Sequence, residues 1–593
     1  MKRLLTVFLL IAALVAVMAF ATACSGDDDD AVATPAPQEQ DDPPATQDDD
    51  VEEDDPVVEV TEDADAALRA AHGLDENLRF YDTVQLSTVV WDRGNERMPD
   101  MDDNGWTEWM QAELLATHNI DLSFHVVPRW DQHTVIATLV GAGSAPDVSF
   151  HFNGPAMTNT FAEMGALLDL TPYLATYGHW LPNMYDWLGH LVYYNRNPET
   201  GRNFAISSRR TEIMRQSTFI REDWLNTLGL PVPTTMQEFE DALVAFRDNA
   251  ELLLGDDADM MIPMALGSDV GWGMGTLIEA FIPDNITERE WFVYGFCGRH
   301  IMRPTTKEAI RVANRWYNEG LTFQEFAYGE AGDLMGDFIR LGFVGAQIAN
   351  WDMPFRAGAD QQIVTMREHH GPDANFIPIV PFPNDSGNPM MIAFSDADRH
   401  IVFPDTNANP VASLLYLDWL SRQSTRDFMA FGHEGIHHIV EANGAKRILP
   451  GDDLPDDMLF ASVHNFDMMP VSNGFLFPDH DVTINTLALA YAGIEPSAIM
   501  HARQMAMDAA RVWRTVVVRP IEAQEGMTAP LEDARDIIFH NAVLASVEDF
   551  DAVWDRHLAD YMALGGAAII AEREQAWVET FGDVDWMPGW EGW

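Results

Sequence analysis

Val84-Gln85-Leu86-Ser87-Thr88-Val89-Val90-Trp91 is a largely apolar, β-branched run that ends in Asp92, Arg93, Gly94 and Asn95. Its length and its turn-forming boundary predict a buried strand. Outward from it, Trp106 to His118 has the spacing of an amphipathic helix, Asp121 to Val127 reads as a second strand, and Gln132 to Val140 as the helix behind it. Strand and helix alternate, which predicts an α/β fold built on a parallel sheet. Open sheets of this kind hold ligands beyond the carboxyl ends of their strands, so Trp91, Asp92, Arg93 and Asn95 are candidate ligand contacts. Gly141-Ala142-Gly143 follows a helix rather than a strand and lacks a third glycine, so it does not read as a dinucleotide loop.

The 593 residues are 47% hydrophobic, enough for two or more packed lobes. Against 35 Lys and Arg stand 94 Asp and Glu. That balance excludes binding that depends on neutralising nucleic-acid phosphates and makes an anionic membrane surface a poor partner. Lysine occurs only at Lys2, Lys307 and Lys446, leaving arginine, whose planar fork suits fixed pairs, as the working cation. Two cysteines, Cys24 and Cys297, exclude a disulfide-stapled scaffold.

Lys2 and Arg3, the apolar run Leu4 to Phe20, and small residues before Cys24 form a charged, apolar and cleavage-region sequence typical of export. Small residues directly before a cysteine resemble the bacterial lipobox, which implies that residues 1–23 are removed and Cys24 is lipidated. Ser25 to Asp65 holds 18 acids and no Lys or Arg, a composition that cannot bury enough apolar surface to fold. Residues 24–80 are therefore expected to be a lipidated cysteine followed by a disordered acidic tether. The body beyond the tether keeps a net charge near -43.

Further along come Ala145-Pro146-Asp147, Leu168-Asp169-Leu170-Thr171-Pro172-Tyr173, Ile220-Arg221-Glu222-Asp223-Trp224-Leu225 and Val232-Pro233-Thr234-Thr235. Thr235 with Glu238 reads as a capping box ahead of a helix that puts Met236, Phe239, Leu243 and Phe246 on one face. Later landmarks are Asn409-Pro410, Leu417-Asp418-Trp419-Leu420, Gly432-His433-Glu434-Gly435-Ile436-His437 and Asp549-Phe550-Asp551-Ala552-Val553-Trp554. Taken in order from Leu86 to Trp577, this succession resembles the extracellular solute-binding protein family 1, the lipoprotein substrate-binding components of carbohydrate ABC importers, including the alginate-binding-like subgroup. The resemblance implies an α/β, two-lobe periplasmic-binding-protein-like (class II) fold with an interlobe cleft and a helical C-terminal segment. The expected layout is lobe 1 over residues 81–205, lobe 2 over 206–395, a return to lobe 1 over 396–470, a C-terminal helical region contributing to both lobes over 471–577, and a Trp-rich tail over 578–593.

His433-Glu434-Gly435-Ile436-His437 spells the zinc-protease pattern H-E-x-x-H, which needs a stable helix to set two imidazoles one turn apart. Gly432 and Gly435 each cost a helix about 1 kcal/mol, so the segment reads as a loop, with Glu434 and His437 kept as candidate ligand contacts. Alginate-binding relatives often carry a calcium loop after the capped helix. Here Asp256, Asp257 and Asp259 break its spacing, so no cofactor is expected and calcium is a minor alternative.

A pyranose offers an apolar face and a rim of hydroxyls, and needs flat rings for the one and polar forks for the other. Trp91, Trp130, Trp272 and Trp351 stand at strand ends or glycine-rich turns, and Trp351 is followed by Asp352. Arg209 and Arg210 lie near the first expected crossing between lobes, where a ligand or a lobe-to-lobe ion pair would meet them. The candidate ligand-binding set is thus Trp91, Asp92, Arg93, Asn95, Arg210, Trp272, Trp351, Asp352, Glu434 and His437. The acidity of the body favours neutral over anionic oligosaccharides.

The resemblance implies a monomer that is no enzyme, tethered at the cell surface or in the periplasm on the outer face of the cytoplasmic membrane. It closes on sugar and docks on permease subunits driven by a separate ATPase. The alternatives are a secreted hydrolase acting on glycans or peptides and, more weakly, an adhesion or sensing protein.

Overall fold

In the computed structural model the run quoted above is a strand, β1 (Val84–Asp92), and the other strands that carry the architecture are β2 (Ile120–Pro128), β3 (Ser149–His151), β4 (Ala205–Arg210), β5 (Gln216–Arg221), β6 (Ile262–Met264), β7 (Val344–Asn350), β8 (Phe376–Ile379), β9 (Ala397–Val402) and β10 (Ser472–Asn473). The structure describes residues 61–588 except 94–99, 153, 198–199, 297–302, 328–333, 357–361, 383–390, 450–461, 492, 514–515, 517, 520 and 525. The export segment, Cys24, Asn95, Cys297, Trp590 and Trp593 lie outside the described residues, and so does the side chain of Trp130.

β1 pairs in parallel with β2, from Val84 opposite Ile120 to Asp92 opposite Pro128. Val89 donates its N–H to the Val148 carbonyl at 3.1 Å, which sets β1 beside β3. β9 then lies antiparallel between β3 and β4, and β10 is parallel to β4. The second sheet runs β6-β7-β5-β8, with β5 antiparallel to both neighbours. Each sheet has one strand running against its neighbours, and in each case it is the strand that has just arrived from the other lobe.

Two sets of apolar side chains pack apart. One core gathers Leu86, Val89, Leu122, Phe150, Ile206, Ile401 and Leu417 around the first sheet. Around the second sheet, Ile220, Phe239, Leu243, Phe246, Ala346 and Ile379 form one cluster and Phe219, Val344, Phe376 and Ile499 another. Two cores, each closed by segments distant in sequence, make two lobes. The first crossing falls at residues 211–215, a few residues beyond the expected 206, because β4 stays hydrogen-bonded in lobe 1. The return precedes β9 at Ala397. The crossings are laced side by side: Arg210 N–H to the Asp396 carbonyl at 2.8 Å, Thr211 N–H to Asn473 at 3.2 Å, and Phe394 N–H to Ile213 at 2.8 Å.

Helix His480–Ala488 touches both lobes, since Thr486 Oγ accepts the N–H of Lys446 in lobe 1 at 3.0 Å while Leu487 packs in lobe 2. The helices Pro496–Asp508, Thr528–Leu544, Phe550–Tyr561 and Ala567–Phe581 supply side chains to the lobe 2 clusters. Among the described residues, most of the C-terminal region's buried side chains join the lobe 2 clusters. The tail packs back at least to Met587, which joins Phe292 and Trp577 and donates its N–H to Glu288. The capping box is displaced by one residue: Thr235 Oγ accepts the Glu238 N–H at 3.2 Å, whereas Glu238 reaches back to Thr234.

One expectation is corrected here. The end of the expected tether is folded, as helix Glu62–Ala71 capped by Thr61. Composition alone hid this because the helix stabilises itself through docking: the Asp65 carboxylate accepts from Trp180 Nε1 at 2.7 Å, His179 Nε2 at 2.9 Å and Arg69 Nε at 2.9 Å. His72 adds a hydrogen bond to Tyr177 at 2.8 Å. Asp65→Ala should weaken this docking by about 1–2 kcal/mol, read as roughly tenfold faster amide exchange confined to residues 62–71 with the main melting transition unmoved.

Candidate functional site

The carboxyl ends of β1 and β7 point to the crossings, and buried charged networks line each side. On lobe 1, Arg93 grips Asp467 through two hydrogen bonds, Nη2 to Oδ1 being 3.1 Å. Arg129 Nε and Arg399 Nη2 approach the same Asp467 oxygen at 3.8 and 3.6 Å. Arg399 also donates Nη1 to the carbonyls of Phe466, Met469 and Ser472. Its second carboxylate neighbour, Asp398, pairs with Arg210. Burial lowers Arg399 to about 10 and lowers Arg93 as well, against the opposing pull of their aspartates.

Trp91 sits inside this network, fully buried. Phe150 and Phe152 lie at ring-centroid distances of 4.4 and 4.7 Å, and the guanidinium groups of Arg129 and Arg399 stand 4.7 and 5.0 Å from its centre. Such cation–π contacts strengthen when water is excluded. The ring is therefore not an open stacking platform.

Lobe 2 answers with Asp352, bound by Arg356 through Nη2 at 2.8 Å and by Tyr491 Oη at 3.1 Å. Burial outweighs these partners and holds the Asp352 carboxyl above its ordinary range. Trp351 is equally buried, its ring at 80° to that of Tyr491, and donates its backbone N–H to the Arg215 carbonyl on the first crossing at 3.0 Å. The charge of Arg356 also helps to depress Arg93, so the two lobes face one another here within electrostatic reach.

The crossing itself carries Glu212, buried and bonded by Arg503 Nε at 3.2 Å, and Arg215, bonded to buried Glu279 at 3.0 Å. Burial pushes Glu212 up to about 8 and Glu279 to about 7, with the arginines opposing. Arg210 and Arg215 both lie over Phe394, at 4.2 and 5.8 Å from its centre. Trp272 is half-buried with Arg215 over its ring at 5.0 Å.

The structure thus gathers Trp91, Arg93 and Arg210 in one network and Trp351 and Asp352 in another, with Trp272 beside the crossing and Asp92 half-buried at the end of β1. Glu434 and His437 are not joined to either. The H-E-x-x-H stretch is a turn after helix Gln423–Phe431, with Glu434 exposed. His437 is buried against Trp106, its Nδ1 accepting the His433 N–H at 2.9 Å. Gly432 is obligatory there: it has φ +64°, and a Cβ would meet the His437 and Trp106 rings at 2.6 Å. Among the described residues no three His, Cys, Asp or Glu side chains converge as a metal site, and Asp256, Asp257 and Asp259 lie along the 3-10 segment Gly255–Met260.

Sequence reasoning missed Arg129, Arg399, Asp467, Glu212, Tyr491 and Arg503. Only Arg356 left a readable signal, four residues after Asp352.

The family model for bacterial extracellular solute-binding proteins matches residues 101–424, more than half of the chain. Lipoprotein LipO of Bacillus subtilis is 28% identical over 177 residues, a match spanning 28% of this chain and 31% of that relative's length. Among solved structures, the alginate-binding protein AlgQ2 superposes with a TM-score of 0.62 at 15% identity, covering 85% of this chain and 99% of that one. An HMO-binding solute-binding protein of Bifidobacterium longum infantis gives 0.57 at 17%, covering 84% and 99%. FusA of S. pneumoniae, in complex with kestose, gives 0.59 at 13%, covering 84% and 99%. These likenesses carry the fold: two lobes about a cleft.

Proposed function

The chain belongs to the bacterial extracellular solute-binding protein family, and from that premise we propose that it captures an oligosaccharide between its lobes and hands it, chemically unchanged, to the permease of an ABC importer. The observation that carries this reading is the hinge: two separately cored lobes joined by crossings that are hydrogen-bonded side by side, with Trp91 and Trp351 at facing strand ends. Ligand contacts made from both lobes favour the closed state, and only that difference in affinity can shift the populations. The names of the relatives above, which mention alginate, HMO and kestose, support a glycan as cargo.

In this reading the protein is monomeric, needs no cofactor and performs no catalysis. Lipidated Cys24 and the acidic stretch after it hold lobe 1 near the outer face of the cytoplasmic membrane, since the tether ends in the helix docked on Trp180. Among the described residues no helix is long and apolar enough to cross a bilayer, so anchoring falls to the segment before them. A neutral oligosaccharide is favoured over an anionic one because the body is strongly acidic.

The test is a thermal-shift screen of neutral and acidic oligosaccharides combined with small-angle scattering. A glycan at 100 times its dissociation constant should stabilise the protein by about 2.7 kcal/mol, and the radius of gyration should fall as the lobes close. A peptide that stabilises where no glycan does would refute the substrate class, and product formation from the glycan would refute transport.

A further inference from the structure

Buried polar atoms without partners are rare in folded proteins, and each asks for an explanation. Among the described residues, neither Trp91 Nε1 nor Trp351 Nε1 has a hydrogen-bond partner, although the two side chains are 0% and 1% exposed. They are not scattered. Trp91 is the penultimate residue of β1 and Trp351 follows the last residue of β7, so one stands at the crossing end of each lobe's sheet. Arg210 Nη1 and Arg399 Nε, in the network around Trp91, likewise lack a hydrogen-bond partner among the described residues, although Arg399 Nε stands 3.6 Å from Asp398 Oδ2.

The ring faces are committed to the protein. Trp91 is enclosed by Phe150, Phe152 and two guanidinium groups, and Trp351 is packed in an apolar cluster with Met214, Phe355 and Tyr491. What each ring leaves unpartnered is the Nε1–H on its edge. An indole offers one donor and no acceptor, so each edge can satisfy one oxygen acceptor and nothing else.

Resting on the transport reading above, we infer that Trp91 and Trp351 are specificity-determining donors, one per lobe, whose indole N–H groups each bind an oxygen of the cargo when the lobes close over it. The rings do not stack on sugar. Selectivity then follows from position: a cargo with a hydroxyl or carboxylate oxygen at both points relieves two buried donors at once, and a deoxy analogue at either point leaves one unpaired. The arrangement also couples recognition to closure, because the two donors belong to different lobes and a cargo held by one alone does not draw in the other.

The test uses the full-length protein and the variants Trp91→Phe and Trp351→Phe, which keep an aromatic ring and delete the donor. Probes are malto-, fructo-, xylo- and chito-oligosaccharides for hydroxyl oxygens and oligomannuronate for carboxylates, with calorimetric titration and the indole 15N–1H resonances, assigned by their loss in each variant, as readouts. For whichever probe binds, each variant should weaken affinity about tenfold, the melting midpoint of the unliganded protein falling by no more than the few degrees that a smaller ring in a packed site costs. In the wild type, both indole protons should move downfield on saturation, which keeps the inference testable even if a variant folds poorly. Unchanged affinity in both variants with unmoved indole signals would overturn this inference and leave the transport reading standing. Binding of no probe would overturn both.

Discussion

Asp467→Asn should destabilise the protein by about 3–5 kcal/mol, the range for leaving buried charge uncompensated. Both oxygens of Asp467 are engaged: Arg93 holds each, and Arg129 and Arg399 stand 3.8 and 3.6 Å from Oδ1. Either orientation of an asparagine amide puts an NH2 group against a guanidinium, donor to donor, and removes the charge that three buried arginines share. Arg399 keeps three backbone carbonyls, so its part of the loss is moderated. Arg93 commits both Nε and Nη2 to Asp467, and this pairing sets the end of β1 beside the cleft. The variant should therefore lose ligand affinity as well as stability. Asp396→Asn is the contrast: that carboxylate is 41% exposed beside His190 at 3.2 Å, and screening should keep its effect below about 0.5 kcal/mol. Equal midpoints for the two variants in denaturant titration would refute the assignment of Asp467 as the centre of the lobe 1 wall.

That contrast also shows what a sequence can disclose. β1 was legible because eight successive residues, mostly β-branched or apolar, can hardly be anything but a buried strand, and the helices around it followed from their periodicity. The strands β5 and β9 were not, although they define the two lobes. β9 reads Ala397-Asp398-Arg399-His400-Ile401-Val402, and the charged pair in its centre masks a strand whose Asp398, Arg399 and His400 are buried. Charges hide there because their partners, Arg210 and Asp467, lie 188 and 68 residues away. For the same reason the sequence offers Trp91 as a candidate without its use: composition announces an aromatic ring, while only packing tells which of its surfaces are already taken. The H-E-x-x-H turn is the converse, a local pattern whose two glycines were enough to set its reading.

Between pH 6.5 and pH 8.5 the midpoint of the lobe 2 unfolding transition should fall by roughly 4–6 °C, taking about 2 °C per kcal/mol for a lobe of some 250 residues. Glu212 and Glu279 are raised to about 8 and about 7 in the folded state by burial, from ordinary values of 4.5. A carboxyl raised in this way binds more protons folded than unfolded, so its stabilisation is complete below the unfolded value and is lost as pH climbs through the folded one. For two such groups the loss across this window is about 2–3 kcal/mol. Arg503 opposes the shift of Glu212 and Arg215 that of Glu279, whereas Asp352 adds to that of Glu212. Two buried histidines of lobe 1 act the other way at lower pH: burial depresses His400 to about 4 and His151 well below 6.5, so each costs stability as pH falls through the unfolded value near 6.5. Below pH 6.5 the lobe 1 transition should therefore fall while that of lobe 2 goes on rising with its carboxyls. Glu212→Gln isolates the hinge contribution, because the amide removes the titration while its one oxygen can still accept from Arg503, at the cost of the 3.3 Å bond from the Met214 N–H. Relative to the parent, the variant should gain stability between pH 6.5 and pH 8.5 and lose most of the slope between. A midpoint that climbs steadily with pH, or a slope untouched by Glu212→Gln, would mean that Glu212 is ionised in the folded hinge at neutral pH and that Arg503 wins over burial.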